Sequence, residues 1–428
     1  MRVPLDAIES KVDADNRTLL RLLRQPAIRD SRPVYLVGGP VRDLLLDSPI
    51  KDLDFVVEGD APALAGRLAQ AAGGEVILHP RFGTATVMLG ESRVDLVTAR
   101  REEYPSPGAL PQVTPGTVAD DLARRDFSIN AMALSLDNSE ATLLDPQQGF
   151  PDLRQGVIRV LHPASFIDDP TRILRAVRYE QRLGFRFDAA TLRQLQQALR
   201  QGCLSSISGD RIRHELERIL QEWVPYPALA RCAELGVLEA IHPALGPGNH
   251  LARLSQGLAG IHDPDPLVYW AALAYPLTPG EGESVIHRLN SRSGWSAVIR
   301  DTIELRQREP RLAAPGLPPS RYCRLLEGLS IHASLGVSAL TESDLVRQRL
   351  LEFLETLRFV HPELTGSDLL ALGIPPGPGL GQLLRRLKDA RLDGQVSSVA
   401  EERELVRRFV TPLNNQSDTP PDTPEGGE

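Results

Sequence analysis

An α+β head followed by an all-α remainder is the architecture the sequence predicts, and three observations predict it. Strand-like apolar runs crowd the segment from Val34 to about Ala133: YLVGG, DLDFVVEG, EVILHP, TATVML and RVDLVTAR. Beyond Asp145 such runs almost vanish, and apolar residues recur at three- and four-residue steps, as in Ile212, Leu216 and Ile219. Clusters of proline and glycine at 243–249, 276–282, 314–319 and 373–379 punctuate that helical region as connections or domain joints.

The elements follow in order. Residues 1–30 read as a helix whose buried face carries Leu19, Leu20, Leu22 and Leu23. The five strand-like runs predict a small mixed sheet of about five strands with helices on one face. One clear helix, Ala61 to Ala72, lies among them and closes at Gly73 and Gly74. Later helices are expected at Asp169–Leu183, Ala189–Gln201, Gly209–Glu222, Tyr226–Leu235, Pro266–Ala274, Leu345–Phe359 and Gly379–Ala390. The proline-rich acidic end after about Asn414 reads as a disordered tail.

With 428 residues the chain exceeds a single core, and roughly two to four domains are expected. Its three cysteines, Cys203, Cys232 and Cys323, are odd in number and far apart, with no metal-ligand spacing, so they read as core thiols in a reducing compartment. No apolar run approaches about eighteen residues, and MRVPLDAIESKVD lacks a signal-peptide core, so a cytoplasmic protein without a membrane partner is expected. Net charge is −8, which argues against a nucleic-acid partner. However, the last eighteen residues hold four acids and no base, leaving the remainder near −4. The bases are almost all arginine, with lysine only at 11, 51 and 388. Arginine suits phosphate forks, but genomic GC bias produces the same excess, so composition leaves RNA binding open.

The chemistry concentrates in four places. In VYLVGGPVRDLLLDSPIKDLDFVV, Asp52 and Asp54 stand one residue apart in an apolar stretch and project from one strand face. Adjacent carboxylates seldom both stay ionised without a cation, and Mg²⁺ is commonly held by one or two carboxylates plus substrate phosphates. Gly38 and Gly39 supply a tight turn and exposed backbone N–H groups for a triphosphate. Asp95, in RVDLVTAR, supplies a third carboxylate if its strand adjoins that of Asp52 and Asp54. Taken singly, each acidic signal reads more readily as surface decoration.

The run RRDFSINAMA places Arg124, Asp126 and Asn130 together before a helix, with arginine for phosphate and the other two for ribose hydroxyls. A charged helix start with Asp126 as cap is the plainer alternative. Finally, DDPTRILRAVR begins a helix with Asp169 and Arg172 on one face, followed by Arg175 and Arg178. An ordinary ion pair is one reading. The other uses polarity: aspartate only accepts and arginine only donates. Cytosine and adenine both present an amino donor beside a ring-nitrogen acceptor, whereas uracil and guanine reverse it.

Together these residues resemble the class II nucleotidyltransferases, which include bacterial tRNA CCA-adding enzymes, their CC- or A-adding relatives and bacterial poly(A) polymerases. The matching segments are LVGGPVRDLLLDSPIKDLDFVV, RVDLVTARREEY, DLARRDFSINAMAL, DPQQGFPDLRQGVIRV, FIDDPTRILRAVRY and SGDRIRHELERIL, covering roughly residues 30–222. LTGSDLLALGIPPGPGLGQLL further resembles the tail of CCA-type members. The resemblance implies a polymerase-beta-like head at 1–140, a base-recognition neck at 141–208, a helical body at 209–330, a tRNA-binding tail at 331–413 and a disordered acidic end at 414–428. It implies Asp52 and Asp54 as ligands of a two-ion Mg²⁺ site, with Asp95 as the third catalytic carboxylate. Gly38, Gly39 and Arg42 would contact the triphosphate, Arg124, Asp126 and Asn130 phosphate and ribose, and Asp169 and Arg172 the base. Arg175 and Arg178 would reach triphosphate or RNA, and Asp210 and Arg211 would support the site. CTP, ATP and tRNA are the implied partners.

Two departures from the family pattern stand out: Pro40 where alanine is usual, and Asp168 where a glutamate is usual. REEYPSPGALPQVTPG resembles the flexible loop that CC-only enzymes lack, so CCA addition, or addition of the terminal A alone, is implied. Poly(A) polymerases tend to end in a basic extension, whereas this chain ends acidic. A non-catalytic RNA-binding relative would have no use for three carboxylates. His262-Asp263 hints at a phosphohydrolase but has no second histidine at ligand spacing. Arg385, Arg386, Lys388 and Arg391 follow the Thr365–Leu384 segment, which either grips tRNA or is simply capped.

Overall fold

The computed structural model describes residues 1–414 apart from 31, 80–82, 137–139 and 247. Almost all of the expected acidic tail lies outside the described residues. The chain forms two compact units, Met1–Pro247 and Gly248–Glu428.

In the first unit, β1 (Arg2–Pro4), β2 (Val34–Val37), β3 (Leu53–Val57), β4 (Glu75–His79), β5 (Thr84–Leu89), β6 (Ser92–Thr98), β9 (Ala133–Ser135) and β10 (Glu140–Leu144) make one mixed sheet. Its order is β1-β10-β9-β2-β3-β6-β5-β4. β7 (Arg100–Glu103) and β8 (Gln112–Pro115) form a separate hairpin. All five expected strands are present as β2 to β6, and three more extend the sheet beyond β2.

Two of these, β1 and β9, were hidden for physical reasons. β1 is too short to show alternation and only Val3 on it is buried. β9 lies in AMALS, where alanine and methionine favour a helix. The helix expected after Asn130 is instead a single 3-10 turn, Ser128–Asn130. The chain then enters a fully buried stretch, Ala131 to Leu134, that pairs with β2 and β10. Tertiary pairing overrides local propensity there.

The N-terminal segment is likewise a strand and three short helices, Leu5–Glu9, Ala14–Leu23 and Pro26–Arg29, rather than one helix. Asp13 caps the second by accepting from the Asn16 backbone N–H, and Pro26 starts the third. Leu19, Leu20 and Leu23 are buried, while Leu22 is half-buried.

The centre of the sheet is the parallel pair β3 and β6, in register Leu53↔Val94, Asp54↔Asp95 and Phe55↔Leu96. The first and third of these pairs are buried on one face, which leaves the middle pair on the other. The Ala61–Ala72 helix is found as expected: the Asp60 carboxylate caps Ala63, and Gly73 ends it at φ +70°. Leu64 and Leu68 are fully buried, each contributing about 1.5–3 kcal/mol of apolar burial.

The rest of this unit is helical apart from one short parallel pair, Val157–Ile158 with Arg186–Phe187. Thr171–Leu183 and Gly209–Leu220 pack together and matter most below.

The second unit among the described residues is all helix. Pro266–Ala274 buries seven of its nine residues, as a central helix must. Ser293–Leu312, the longest helix, was not expected, because its charged residues blur the apolar stripe. Leu305, Leu312, Tyr322, Val346 and Leu350 form its core. No described helix is long and apolar enough to cross a membrane.

Candidate active site

Strand pairing places Asp54 beside Asp95 at one register position of β3 and β6. Asp52 differs. It lies exposed in the bend before β3, so strand alternation does not place it. It borders an adjoining hollow with Lys51 and Arg93, whereas Asp54 lines the main cavity. Burial, reinforced by the Asp95 and Asp52 carboxylates and opposed by Arg125 and Arg93, pushes the Asp54 carboxyl up to about 6. Asp95 is already engaged: its Oδ1 accepts from Thr86 Oγ1 at 2.6 Å and Arg93 Nε at 3.2 Å, and its Oδ2 from Arg93 Nη2 at 2.6 Å.

Among the described residues, no three His, Cys, Asp or Glu side chains are grouped tightly enough to hold a metal unaided. Two neighbouring carboxylates completed by phosphate oxygens do suit a hard divalent cation. Asp54 and Asp95 stand at one register position of neighbouring strands, so the residues present fit such an ion.

The main cavity encloses about 560 Å³. At its near end, Gly38 turns at φ +74°, a conformation that favours glycine, and a Cβ there would also push aside the Arg125 guanidinium 2.5 Å away. Gly39 lines the cavity and opens the helix Gly39–Leu45, with Pro40 in its first turn and Arg42 on its inner side. From Arg42 a buried chain runs inward. Arg42 Nη1 donates to Asn130 Oδ1 at 2.7 Å, and Asn130 Nδ2 donates to Asp126 Oδ1 at 3.1 Å. Asp126 Oδ2 accepts both Nε and Nη2 of Arg175, at 2.9 and 2.5 Å. Burial alone would raise the Asp126 carboxyl, but Arg175 and the hydrogen bonds hold it at about 2. Arg124 and Arg125 share the fully buried Asp121, and Arg124 also reaches Glu102 at 2.9 Å. The Tyr179 ring lies 5.2, 5.7 and 4.9 Å from the guanidinium carbons of Arg42, Arg175 and Arg178. Arg178 itself does not border the cavity; it is buried and turned toward Glu222 and Glu215.

At the far end, Asp169 stands two residues before the Thr171–Leu183 helix, ahead of its cap Pro170. Its Oδ1 accepts from Thr171 N at 3.1 Å, Thr171 Oγ1 at 2.6 Å and Arg211 Nη2 at 2.7 Å, leaving Oδ2 outside these three bonds. Arg172 donates to Ser165 Oγ at 2.6 Å and to the Arg124 carbonyl at 2.8 Å. The two residues therefore line the cavity together but are fixed by other partners. Arg211, at the start of Gly209–Leu220, also donates to the Gly108 carbonyl between β7 and β8 at 2.8 Å. Asp168 faces His162 across 3.8 Å in a neighbouring hollow.

Sequence reasoning missed Glu102, Tyr104, Tyr179 and Glu215 as cavity residues. Tyr179 was findable, being four residues after Arg175 on one helical face. Glu102 and Tyr104 reach the cavity only through the β7–β8 hairpin and carried no local signal.

A family model described as the poly A polymerase head domain matches residues 34–159, and one described as a probable RNA and SrmB-binding site of polymerase A matches 184–247. An A-adding tRNA nucleotidyltransferase of Halalkalibacterium halodurans is 34% identical over 421 residues, covering 95% of each chain. The chain belongs to the tRNA nucleotidyltransferase family. Other relatives divide by name. An A-adding tRNA nucleotidyltransferase of Geobacter sulfurreducens is 37% identical over 88% of this chain, which spans 45% of that protein's length. A CC-adding tRNA nucleotidyltransferase of Deinococcus radiodurans is 31% identical, covering 95% of this chain and 96% of its own. Among solved structures, the Thermotoga maritima CCA-adding enzyme in complex with tRNA superposes with a TM-score of 0.77 at 30% identity, covering 96% of this chain and 99% of that one. The two matched family segments flank but do not include the Asp169–Arg178 stretch of this chain.

Proposed function

We propose that this family member adds CMP and AMP, or the terminal AMP alone, to the 3′ end of tRNA from CTP and ATP without a template, releasing pyrophosphate. The observation that carries this reading is one cavity bordered by Asp54 at one end and by Asp169, Arg172 and Arg211 at the other. Nucleotide choice and phosphoryl chemistry then act on one bound molecule. The proposed substrate places the activity in the cytoplasm. Residues 1–140 act as head, 141–208 as neck, 209–330 as body and 331–413 as tail, the last gripping tRNA.

Asp52 and Asp54 would hold magnesium as a two-ion site, with Asp95 as the third carboxylate; when bound, such ions supply charge neutralisation at the phosphates and acidify the attacking hydroxyl. Gly38, Gly39, Arg42 and Arg124 orient the triphosphate. The buried Asp126–Asn130 pair keeps Arg42 and Arg175 in place and borders the ribose. Asp169 Oδ2 accepts the amino group of cytosine or adenine while Arg172 donates to the ring nitrogen. Uracil and guanine would leave those groups unpaired in a partly dry cavity.

The β7–β8 hairpin supports terminal A addition, because the loop it resembles is missing from CC-only members of the family. The similarity to a CC-adding relative keeps CC addition as the second reading. Three tRNA substrates separate the readings: one ending before CCA, one after C and one after CC, each given Mg²⁺ with CTP, ATP or both. Extension of all three to CCA supports the full activity, and extension of the CC-ended substrate alone restricts it to A addition. CTP incorporation without A establishes the CC reading, and long A tracts on unrelated RNA overturn the proposal in favour of poly(A) synthesis.

A further inference from the structure

Arg93 lies two residues before Asp95 on β6, and its guanidinium grips both Asp95 oxygens. Its positive charge is felt by Asp52 and Asp54 as well. It differs from the arginines of the cavity wall. Arg124 and Arg125 are tied to the buried Asp121, and Arg175 to the buried Asp126. The Arg93 side chain is 56% exposed, against 27% for Asp95. An ion pair this open to water is weak and readily exchanged. It also borders the adjoining hollow of about 670 Å³, where the carboxylates of Asp15 and Glu91 offer it a second place to lie.

A guanidinium and a divalent cation cannot share the same two oxygens, and their charges repel. We infer that Arg93 is a built-in counter-ion that holds Asp95 and its neighbours while no metal is bound, and that it swings into the adjoining hollow when a divalent cation enters. The inference rests on the metal reading of Asp52 and Asp54 given above, with Asp95 as the third carboxylate helping to hold the ion. Arg93 is thus a positioning residue that sets the metal affinity of the free enzyme, at a place where a neutral side chain would leave three carboxylates to repel one another.

The test is Mn²⁺ binding to the full chain without nucleotide, followed by calorimetry and by the gain in melting temperature on adding Mn²⁺. Arg93→Ala is expected to bind Mn²⁺ about fivefold or more tightly than the parent, and to show a larger thermal gain from it. Arg93→Lys keeps a charge but loses the two-pronged fork, and is expected to fall between them. Asp54→Asn serves as the control for site. Mn²⁺ binding that depends on Asp54 but is equal or weaker in both Arg93 variants overturns this inference alone. Absence of any Asp54-dependent Mn²⁺ binding overturns the metal reading and this inference with it.

Discussion

The two ends of the cavity are built on opposite principles. At the Asp169 end nearly every charged group already has its partner: Arg211 and Thr171 hold Asp169, and Ser165 with the Arg124 carbonyl holds Arg172. Nearby, Asp126 is gripped by Arg175 and held at about 2. At the Asp54 end a half-buried carboxyl is pushed up to about 6 by burial and like charge. A reading surface must be rigid before its ligand arrives, since unpaired groups there carry the discrimination. A cation site must instead hold carboxylates whose charge is costly to bury alone and can pass to a cation when one arrives.

The largest expected effect comes from breaking the strained end. Asp54→Asn should lower nucleotidyl transfer by about a thousandfold or more in a single-turnover assay. The same change should stabilise the metal-free protein. In the unfolded chain this carboxyl ionises near its ordinary 3.8, but in the fold it stays protonated up to about 6. The folded state therefore binds more protons in that window, and stability falls as pH rises through it, by about 1–3 kcal/mol. Thermal melts in chelator should show the loss between pH 4 and 7 in the parent and not in Asp54→Asn. A variant melting below the parent at pH 7 would sink the claim of a strained carboxylate.

Next in size is the paired interior. Arg175→Ala leaves the buried Asp126 without its main cation, and should cost about 3–5 kcal/mol in chemical denaturation at neutral pH. Because the Asp126 carboxyl is depressed, its contribution is present above about 3.8 and lost as pH falls toward about 2, so parent and variant should converge in acid.

The smallest effect is the sharpest for specificity. Asp169→Ala should retain Mn²⁺ binding while rejection of UTP and GTP, relative to CTP and ATP, weakens about tenfold to a hundredfold in competition assays. Arg211→Ala, which removes only a support of Asp169, should weaken it less. Unchanged rejection in Asp169→Ala would refute the base-reading role.

Much of this was legible in the chain. The five strand-like runs, the Ala61–Ala72 helix and the residue clusters around Asp54, Asp126 and Asp169 all carry local signals: alternation, capping and motif spacing. The missing strands and the Ser293–Leu312 helix carried none, because pairing partners and neighbouring helices stabilise them more than their own composition does. The same holds within the site. Asp52 and Asp54 read as twins along the chain, yet the bend before β3 leaves Asp52 exposed beside another hollow. Asp169 and Arg172 read as a pair, yet Arg211 is the arginine that grips the aspartate.

The sequence by itself determined the fold class, the family and which residue types carry charge, because propensity, periodicity and motif spacing are properties of neighbours along the chain. Only the tertiary structure decided who holds whom. Asp54 and Asp95 are 41 positions apart, and Asp169 and Arg211 are 42; burial and pairing across such separations depend on sheet register and helix packing. Those contacts set which carboxylate is strained and which is satisfied.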